Sequence, residues 1–366
     1  MTRPWLRWLP AVTVPAVIAA GVLAGSLSAS AGDPLPAKSP EQVLQLIAQH
    51  RETSFSGTLE QTSKLGLPEL PQAGPGASSG DTGWLELLTG PHTARVYRDG
   101  TDNARIQVMD RLAERDVIRH GNELWFYNSK DNTAAHAVLP AGAGSHDPSG
   151  QESVPAPDTL AEDLLAKLDQ SSDVTVGADV QVAGRTAYQL MLTPKSSSTL
   201  LASVAISVDG QSGMPLGVEL KARGQSDPAF RVAFTKLSLE APDAAIFQFS
   251  PPPGATVKEI PVQDHKSTAP RDRPAAKDSR HNVSGTGWES VVELPAGAWA
   301  KAPVQQPAQQ PGQSGNVASL LAQATVPVAG GRLLSTALVN VLILDDGRIF
   351  AGSVPLDRLQ AAAAAR

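Results

Sequence analysis

Ser39-Pro40-Glu41-Gln42 opens the first regular pattern in the chain. Ser39 is placed to accept from the N–H groups of a first helical turn, Pro40 stands where a missing N–H costs nothing, and Gln42 holds the capping-box position. Val43, Leu44, Ile47 and Ala48 then recur at helical spacing, which predicts an apolar stripe on a helix ending near Arg51. Beyond it the period drops to two. The stretch TSFSGTLEQT sets Phe55, Gly57 and Leu59 on one face and Ser56, Thr58 and Glu60 on the other, as a strand with one wet side requires. A Pro-, Gly- and Ser-rich insert at 66–82 reads as a long loop. Strand patterns resume at 83–88, 94–97, 104–109, 115–119 and 124–128, broken by turns at Asp99-Gly100 and Gly121-Asn122, which is the rhythm of an antiparallel meander.

The last of these strands is unusual. In GNELWFYNSKDN, alternation sends Trp125 and Tyr127 to one face and Leu124 and Phe126 to the other, so both faces are apolar. A sheet in an ordinary domain needs one greasy face. Something must cover the second.

After another loop at 140–157, Thr159-Leu160-Ala161-Glu162 reads as a second capping box, with Leu160, Leu164, Leu165 and Leu168 as the stripe of its helix. Strands are then predicted at 173–182, 186–193, 204–209, 215–222 and 229–239, the last with Phe230, Val232 and Phe234 in clean alternation. Helix, strands, helix, strands describes an α+β domain with one large antiparallel sheet, over residues 37–262. Residues 263–282 alternate charges with Pro and Ala and read as a linker. Residues 283–366 make a small C-terminal α+β unit: a possible strand in GWESVVELP, a hairpin turning at Asp346-Gly347, and a short Ala-rich helix after Pro355. With so little apolar sequence, this unit is expected to pack against the first domain.

The first residues change the picture of where the chain works. Arg3 and Arg7, an apolar run from Leu9, and the small residues Ala29-Ser30-Ala31 have the order of a secretion signal over residues 1–31, with an uncleaved N-terminal anchor as the alternative. An exported, extracytoplasmic protein is the expectation. There are no cysteines, so neither a disulfide framework nor a thiol for a lipid anchor is available, and burial alone must hold the fold. Loss of Arg3 and Arg7 would make the formal charge of −6 more negative still, and no dense basic stripe exists, which excludes nucleic acid as an expected partner.

A search for chemistry finds little. GPGASSG is glycine-rich, but no Lys-Ser/Thr follows it and no helix pattern begins there. Ser145-His146-Asp147 holds the residue types of a hydrolase triad, but sequence neighbours cannot converge as that mechanism demands. The histidines are scattered with no pair at metal-ligand spacing. No catalytic residue, metal or cofactor is expected.

Three stretches do carry a resemblance. The first helix with TSFSGTLEQT, the segment GNELWFYNSKDNTA, and the run GRTAYQLMLTPK, VAISVDGQSGMPLGVELKARG and FRVAFTKLSLEAPDAAIFQFSPPPGATV resemble, in order over residues 39–258, the lipoprotein-carrier (LolA-type) superfamily, which includes regulators of the RseB/MucB type. The high Ala, Gly and Pro content and the ending LLSTALVNVLILDDGRIFAGSVPLDRL resemble exported actinobacterial members. The resemblance implies a strongly curved antiparallel half-barrel sheet with a helical lid over an apolar cavity that binds acyl chains. Taken with the alternation above, it implies that Phe55, Leu59, Ile106, Val108, Leu124, Phe126, Leu190, Ile206, Val218 and Phe234 line that cavity, faced by Leu44, Ile47, Leu160 and Leu164 from the helices. Which parity faces inward stays open, since a one-residue slip exchanges the faces, and the same side chains could fill a dry core.

Two functions fit. One is a non-enzymatic cell-envelope carrier whose partner is an acyl lipid or a lipoprotein. The other is an envelope-stress sensor or regulator of the RseB/MucB type, in which residues 283–366 bind a membrane protein such as an anti-sigma factor and lipid is only the signal.

Overall fold

The computed structural model describes residues 34–51, 53–66, 90–109, 113–139, 156–166, 171–260, 282–295 and 324–365. The expected signal segment 1–31, the strand expected at 83–88, nearly all of the linker and the side chain of Leu164 lie outside these residues.

Helix α1 (Pro40–Gln49) begins as its sequence requires: the Ser39 hydroxyl accepts from the Gln42 N–H, and the Gln42 side chain accepts from the Ser39 N–H at 2.8 Å. Strands β1 (Ser54–Ser63), β2 (His92–Asp99), β3 (Asn103–Met109), β4 (Glu114–His120), β5 (Glu123–Asn128) and β6 (Thr133–Val138) follow as a meander. Helix α2 (Pro157–Ala166) leads to β7 (Ser172–Val176), β8 (Val180–Val182), β9 (Arg185–Pro194), β10 (Leu201–Asp209), β11 (Pro215–Ala222) and β12 (Phe230–Ser238). β13 (Thr256–Ile260) ends the first unit.

These strands form one large open sheet in the order β13-β6-β5-β4-β3-β2-β1-β12-β11-β10-β9-β7, with β8 also on β9. The β1–β12 pairing joins the early and late strands, so the two halves of the sequence share one sheet. The expectation of a wholly antiparallel sheet is corrected at one edge. β13 runs parallel to β6, because the chain leaves β12, crosses one face of the sheet and re-enters beyond β6. The sheet is therefore mixed. Two further local corrections follow from turn chemistry. The strand expected at 173–182 is two strands, interrupted where the Gly177 N–H donates to the Gln189 carbonyl. The second helix starts at Pro157, so Thr159 lies inside it, and the Asp158 carboxylate accepts from the Thr159 N–H at 2.9 Å.

β1 and β12 meet through a bulge. Leu59 pairs with Phe234 but Thr58 pairs with Lys236, leaving Thr235 as the extra residue. Strict alternation from Phe230, Val232 and Phe234 would have turned Lys236 into the core. The bulge flips the parity, so Lys236 is exposed and Leu237 packs against the core instead.

Both helices lie on the same face. Val43 and Ile47 of α1 are 0% and 6% exposed against β7 and β9, while Leu160 and Leu165 of α2 pack near β11 and β12. The turn from β10 to β11 comes up beneath α1 at Gly213, whose φ of +78° and lack of a side chain are both needed, since a Cβ there would lie 2.3 Å from the Leu46 carbonyl oxygen.

The C-terminal unit is a second sheet, β14 (Asn282–Ser284), β15 (Val291–Leu294), β16 (Val326–Val328), β17 (Gly331–Ser335), β18 (Asn340–Leu344) and β19 (Ile349–Gly352), in the order β14-β15-β19-β18-β17-β16. Helix α3 (Leu356–Ala364) closes a small core of Val291, Leu333, Leu342, Phe350, Val354 and Leu359. This unit is fastened to the first. The Leu200 N–H and the Thr199 hydroxyl both donate to the Ser353 carbonyl at 2.8 Å, the Ala337 N–H donates to the Leu65 carbonyl at 2.8 Å, and the Trp288 indole donates to the Ser172 hydroxyl at 2.7 Å. Leu338 is part of the first unit's core cluster.

Candidate functional site: the two faces of the large sheet

The pairing registers settle which side chains share a face. Gly57, Val96, Ile106, Val117, Phe126 and Ala135 stand in one row across β1 to β6, and Phe55, Arg98, Ala104, Arg119, Leu124 and Ala137 in the next. On the other half, Phe234 adjoins Leu59, and Val232, Val218, Ile206 and Leu190 form a continuous row on that face. The helices pack on this face over β7, β9, β11 and β12.

Of the residues expected to line a cavity, Phe55, Leu59, Ile106, Val108, Leu190, Ile206, Val218, Phe234 and Ile47 lie in one core cluster, none more than 8% exposed. They touch one another and the helices; the Phe55 and Phe234 rings meet edge to face at 6.0 Å. Leu44 and Leu160 pack against this cluster as partly buried residues. Leu124 is buried near Ala137 but stands outside the cluster, and Phe126 is half-buried between Val117 and Ala135. Two shallow concavities lie among the described residues. One is a cleft of about 270 Å³ beside the bulge, lined by Thr58, Arg95, Tyr97 and Lys236; the other is a recess of about 140 Å³ near Glu219 and Arg231. Both linings mix polar and apolar groups: Gly57 and Leu237 join the first, and Val180, Val182 and Ala233 the second.

The second greasy face is covered by the chain itself. Between β12 and β13, residues 239–255 run as a strap across β3, β4 and β5. A 3-10 turn at Ala244–Phe247 packs on β3 and β4, with Phe247 1% exposed and the Ile246 carbonyl accepting from Arg105 at 3.2 Å. Phe249 then lies 5.4 Å from the Trp125 ring and 5.5 Å from the Tyr127 ring, while His136 stacks on Trp125 at 4.2 Å. Sequence reasoning missed these covering residues, although the alternation of Phe247 and Phe249 just before Pro251-Pro252-Pro253 was a usable signal.

Polar groups lie under the strap. Asp116, buried on β4, pairs with Arg105 of β3, and the Gln107 amide donates to Glu114 beside them. Burial pushes the Asp116 carboxyl up to about 6 against the pull of Arg105, and Glu114 adds to the rise. Asp116 Oδ1, Arg105 Nε and His136 Nε2 are buried without a hydrogen-bond partner. Asp209 shows the opposite balance. Burial favours its neutral form, but two bonds from Arg185 at 2.8 and 2.9 Å and two from Ser212 outweigh it and hold the carboxyl below the usual range.

Among the described residues no three His, Asp or Glu side chains gather as a metal ion would require, and no helix is long and apolar enough to cross a membrane.

With its large open mixed sheet and few helices, the fold has solved counterparts. No family model matches the chain, and no curated protein matches it. It is similar to the structure of MucB, at 17% identity over 89% of this chain and 96% of that one, with a TM-score of 0.41. The Pseudomonas aeruginosa MucA/MucB complex gives 17% identity, 88% and 96% coverage and a TM-score of 0.41. The LolA superfamily protein NE2245 from Nitrosomonas europaea gives 10% identity, 58% and 99% coverage and a TM-score of 0.24. These neighbours belong to the grouping that the sequence resembles, and at such TM-scores nothing about the site follows from the likeness.

Proposed function

We propose that this chain is a non-catalytic, extracytoplasmic regulator that works by holding another protein, with the C-terminal unit as its main contact surface. The observation that carries this reading is the distribution of apolar side chains. Among the described residues, the helix-covered part of the large sheet is packed with the protein's own side chains, which supports a reading without a guest there. Of the five exposed large apolar side chains among the described residues, Val138 and Val257 stand on the β6/β13 edge of the large sheet, and the other three, Val283, Val326 and Val339, at 57%, 55% and 41% exposure, are on the small C-terminal unit, two of them on its edge strands β14 and β16. That unit is hydrogen-bonded to the large sheet at Leu65, Ser172 and Leu200, so the pair presents one continuous surface to a partner. The expected partner is the extracytoplasmic part of a membrane protein. Site-specific photo-crosslinking in cells tests this: a probe at Val283 or Val326 is expected to trap one membrane protein, and a probe at exposed Arg95 on the large sheet is not. Equal labelling from all three positions would contradict it.

A second reading keeps the acyl-chain carrier, and one observation favours it. The row Val117, Phe126 and Ala135 continues the core face past the helices and is only half-buried. In this reading the sheet curves around a guest, α1 and α2 act as its lid, and Phe55, Leu59, Ile106, Val108, Leu124, Phe126, Leu190, Ile206, Val218 and Phe234, with Leu44, Ile47, Leu160 and Leu164, part to admit it. Burial would return about 0.8 kcal/mol per methylene, but separating a packed core forfeits a similar quantity for the side chains displaced. The regulator reading needs no such exchange.

A further inference from the structure

β13 is the least buried strand of the large sheet's edge and the only parallel one among the described pairings, and it contributes almost nothing to a core. Its residues Thr256, Val257, Lys258 and Glu259 are exposed and Ile260 is half-buried, with Val257 at 45%. Among the described residues it is held by its ladder with β6, by the Thr256 N–H donating to the Asn132 carbonyl at 3.0 Å, and by an ion pair of Glu259 with His136 at 3.0 Å, in which the glutamate side chain is 72% exposed. The strap just before it is held quite differently, by buried Phe247 and by Phe249 against Trp125 and Tyr127. Between the two stand three consecutive prolines and Gly254, which has a φ of +78°. β13 can therefore leave while the strap stays.

What it would uncover is a sheet edge with none of the usual defences. β6 reads Thr-Ala-Ala-His-Ala-Val, with no proline, no lysine and no bulge, and its last residue, Val138, is 50% exposed. We propose that β6 is a strand-acceptor site, that β13 is its resident occupant in cis, and that an extended polypeptide segment from a partner takes the edge by replacing β13. The resident strand defines the chemistry of the incoming one. A carboxylate belongs opposite His136, as Glu259 is now, and an aliphatic side chain opposite Ala137, as Ile260 is now. Small residues at Ala134, Ala135 and Ala137 leave room for larger side chains on the incoming strand. Main-chain hydrogen bonds would supply the affinity and these alternate positions the specificity. The inference stands apart from the reading above, which concerns the C-terminal unit.

The test uses the full-length chain, the double variant Val257→Pro, Lys258→Pro, and a fluorescein-labelled peptide of residues 254–262. Because cis occupancy reduces the apparent affinity by the fraction of open edges, the double variant is expected to bind the peptide at least ~10-fold more tightly than the parent chain. The peptide carrying Glu259→Lys is expected to bind several-fold more weakly, and Trp125 fluorescence is expected to change on binding, since that ring stacks on His136. Equal binding by both chains, binding of a scrambled peptide equal to that of the true one, or no binding at all would overturn the proposal. Should the double variant fail to fold, hydrogen exchange on the parent chain decides: β13 amides should exchange faster than those of β4 and β5, and β13 amides as slow as these would overturn it.

Discussion

The ring of Phe234 lies where a side chain on Gly57 would have to be. A Cβ on Gly57 would stand 2.6 Å from Cε1 of Phe234 and 2.8 Å from the Lys236 carbonyl oxygen. Gly57 thus lets a large ring cross β1 to meet Phe55, right where the bulge at Thr235 resets the parity of β12. Gly57→Ala is expected to cost about 1–3 kcal/mol, measured as a lower urea midpoint, because the clash involves backbone as well as ring. Phe234→Leu in the same chain should restore only part of the loss; full restoration would mean that the bulge backbone is not under constraint.

The Arg185–Asp209 pair ties β9 to the end of β10. Since its carboxyl is held below the usual range, Asp209 contributes stability that is complete at neutral pH and fades as the pH falls through its folded value. Asp209→Ala should cost about 3 kcal/mol at pH 7, because it leaves a guanidinium without its buried partner. The difference between parent and variant should shrink below pH 4. A pH-independent difference would place the effect in packing.

Asp116 has the reverse sign. Its folded carboxyl sits near 6, above its unfolded value, so whatever stability this rise represents is present at low pH and lost as the pH climbs through about 6. Asp116→Asn keeps the shape and an acceptor for Arg105 without the charge. The variant is expected to be as stable as the parent or more so at pH 7.5, and to lose the parent's change in stability between pH 5 and 7.5. A large loss at pH 7.5 would show that the ion pair outweighs the cost of burying the charge.

Leu338 enters the first unit's core from the C-terminal unit, next to Ala337, whose N–H donates to the Leu65 carbonyl; the Trp288–Ser172 bond is a further link between the units. Leu338→Asp is expected to separate the two units, so that one calorimetric transition becomes two. A single unchanged transition would mean that the polar bonds alone couple them.

Much of the fold was legible from period and punctuation. The Ser39–Gln42 capping box, the meander from β2 to β5 and the Asp346-Gly347 hairpin follow from local rules that tertiary packing did not override. The parts that were not legible depend on long-range partners. β13 has no alternating core pattern because nothing buries it, and β6 offered only small alanines. The double-faced strand at Trp125 and Tyr127 announced a covering layer, but its identity lay more than a hundred residues away, in Phe247 and Phe249. The flip of Lys236 could not be read either, since a bulge exists only in relation to the strand it faces. The same limit applies to the site. Alternation picked out which side chains share a face and could not say whether a guest or the protein's own helices fills the space above them.

Native mass spectrometry of the full-length protein after mild extraction from its own cells tests the central claim most directly. The account expects the bare polypeptide mass, because the helix-covered face is filled by Leu59, Phe234, Ile206 and their neighbours. A stoichiometric acyl lipid retained on the protein, and lost when Phe126 is replaced by aspartate, would contradict it and return the carrier reading to first place.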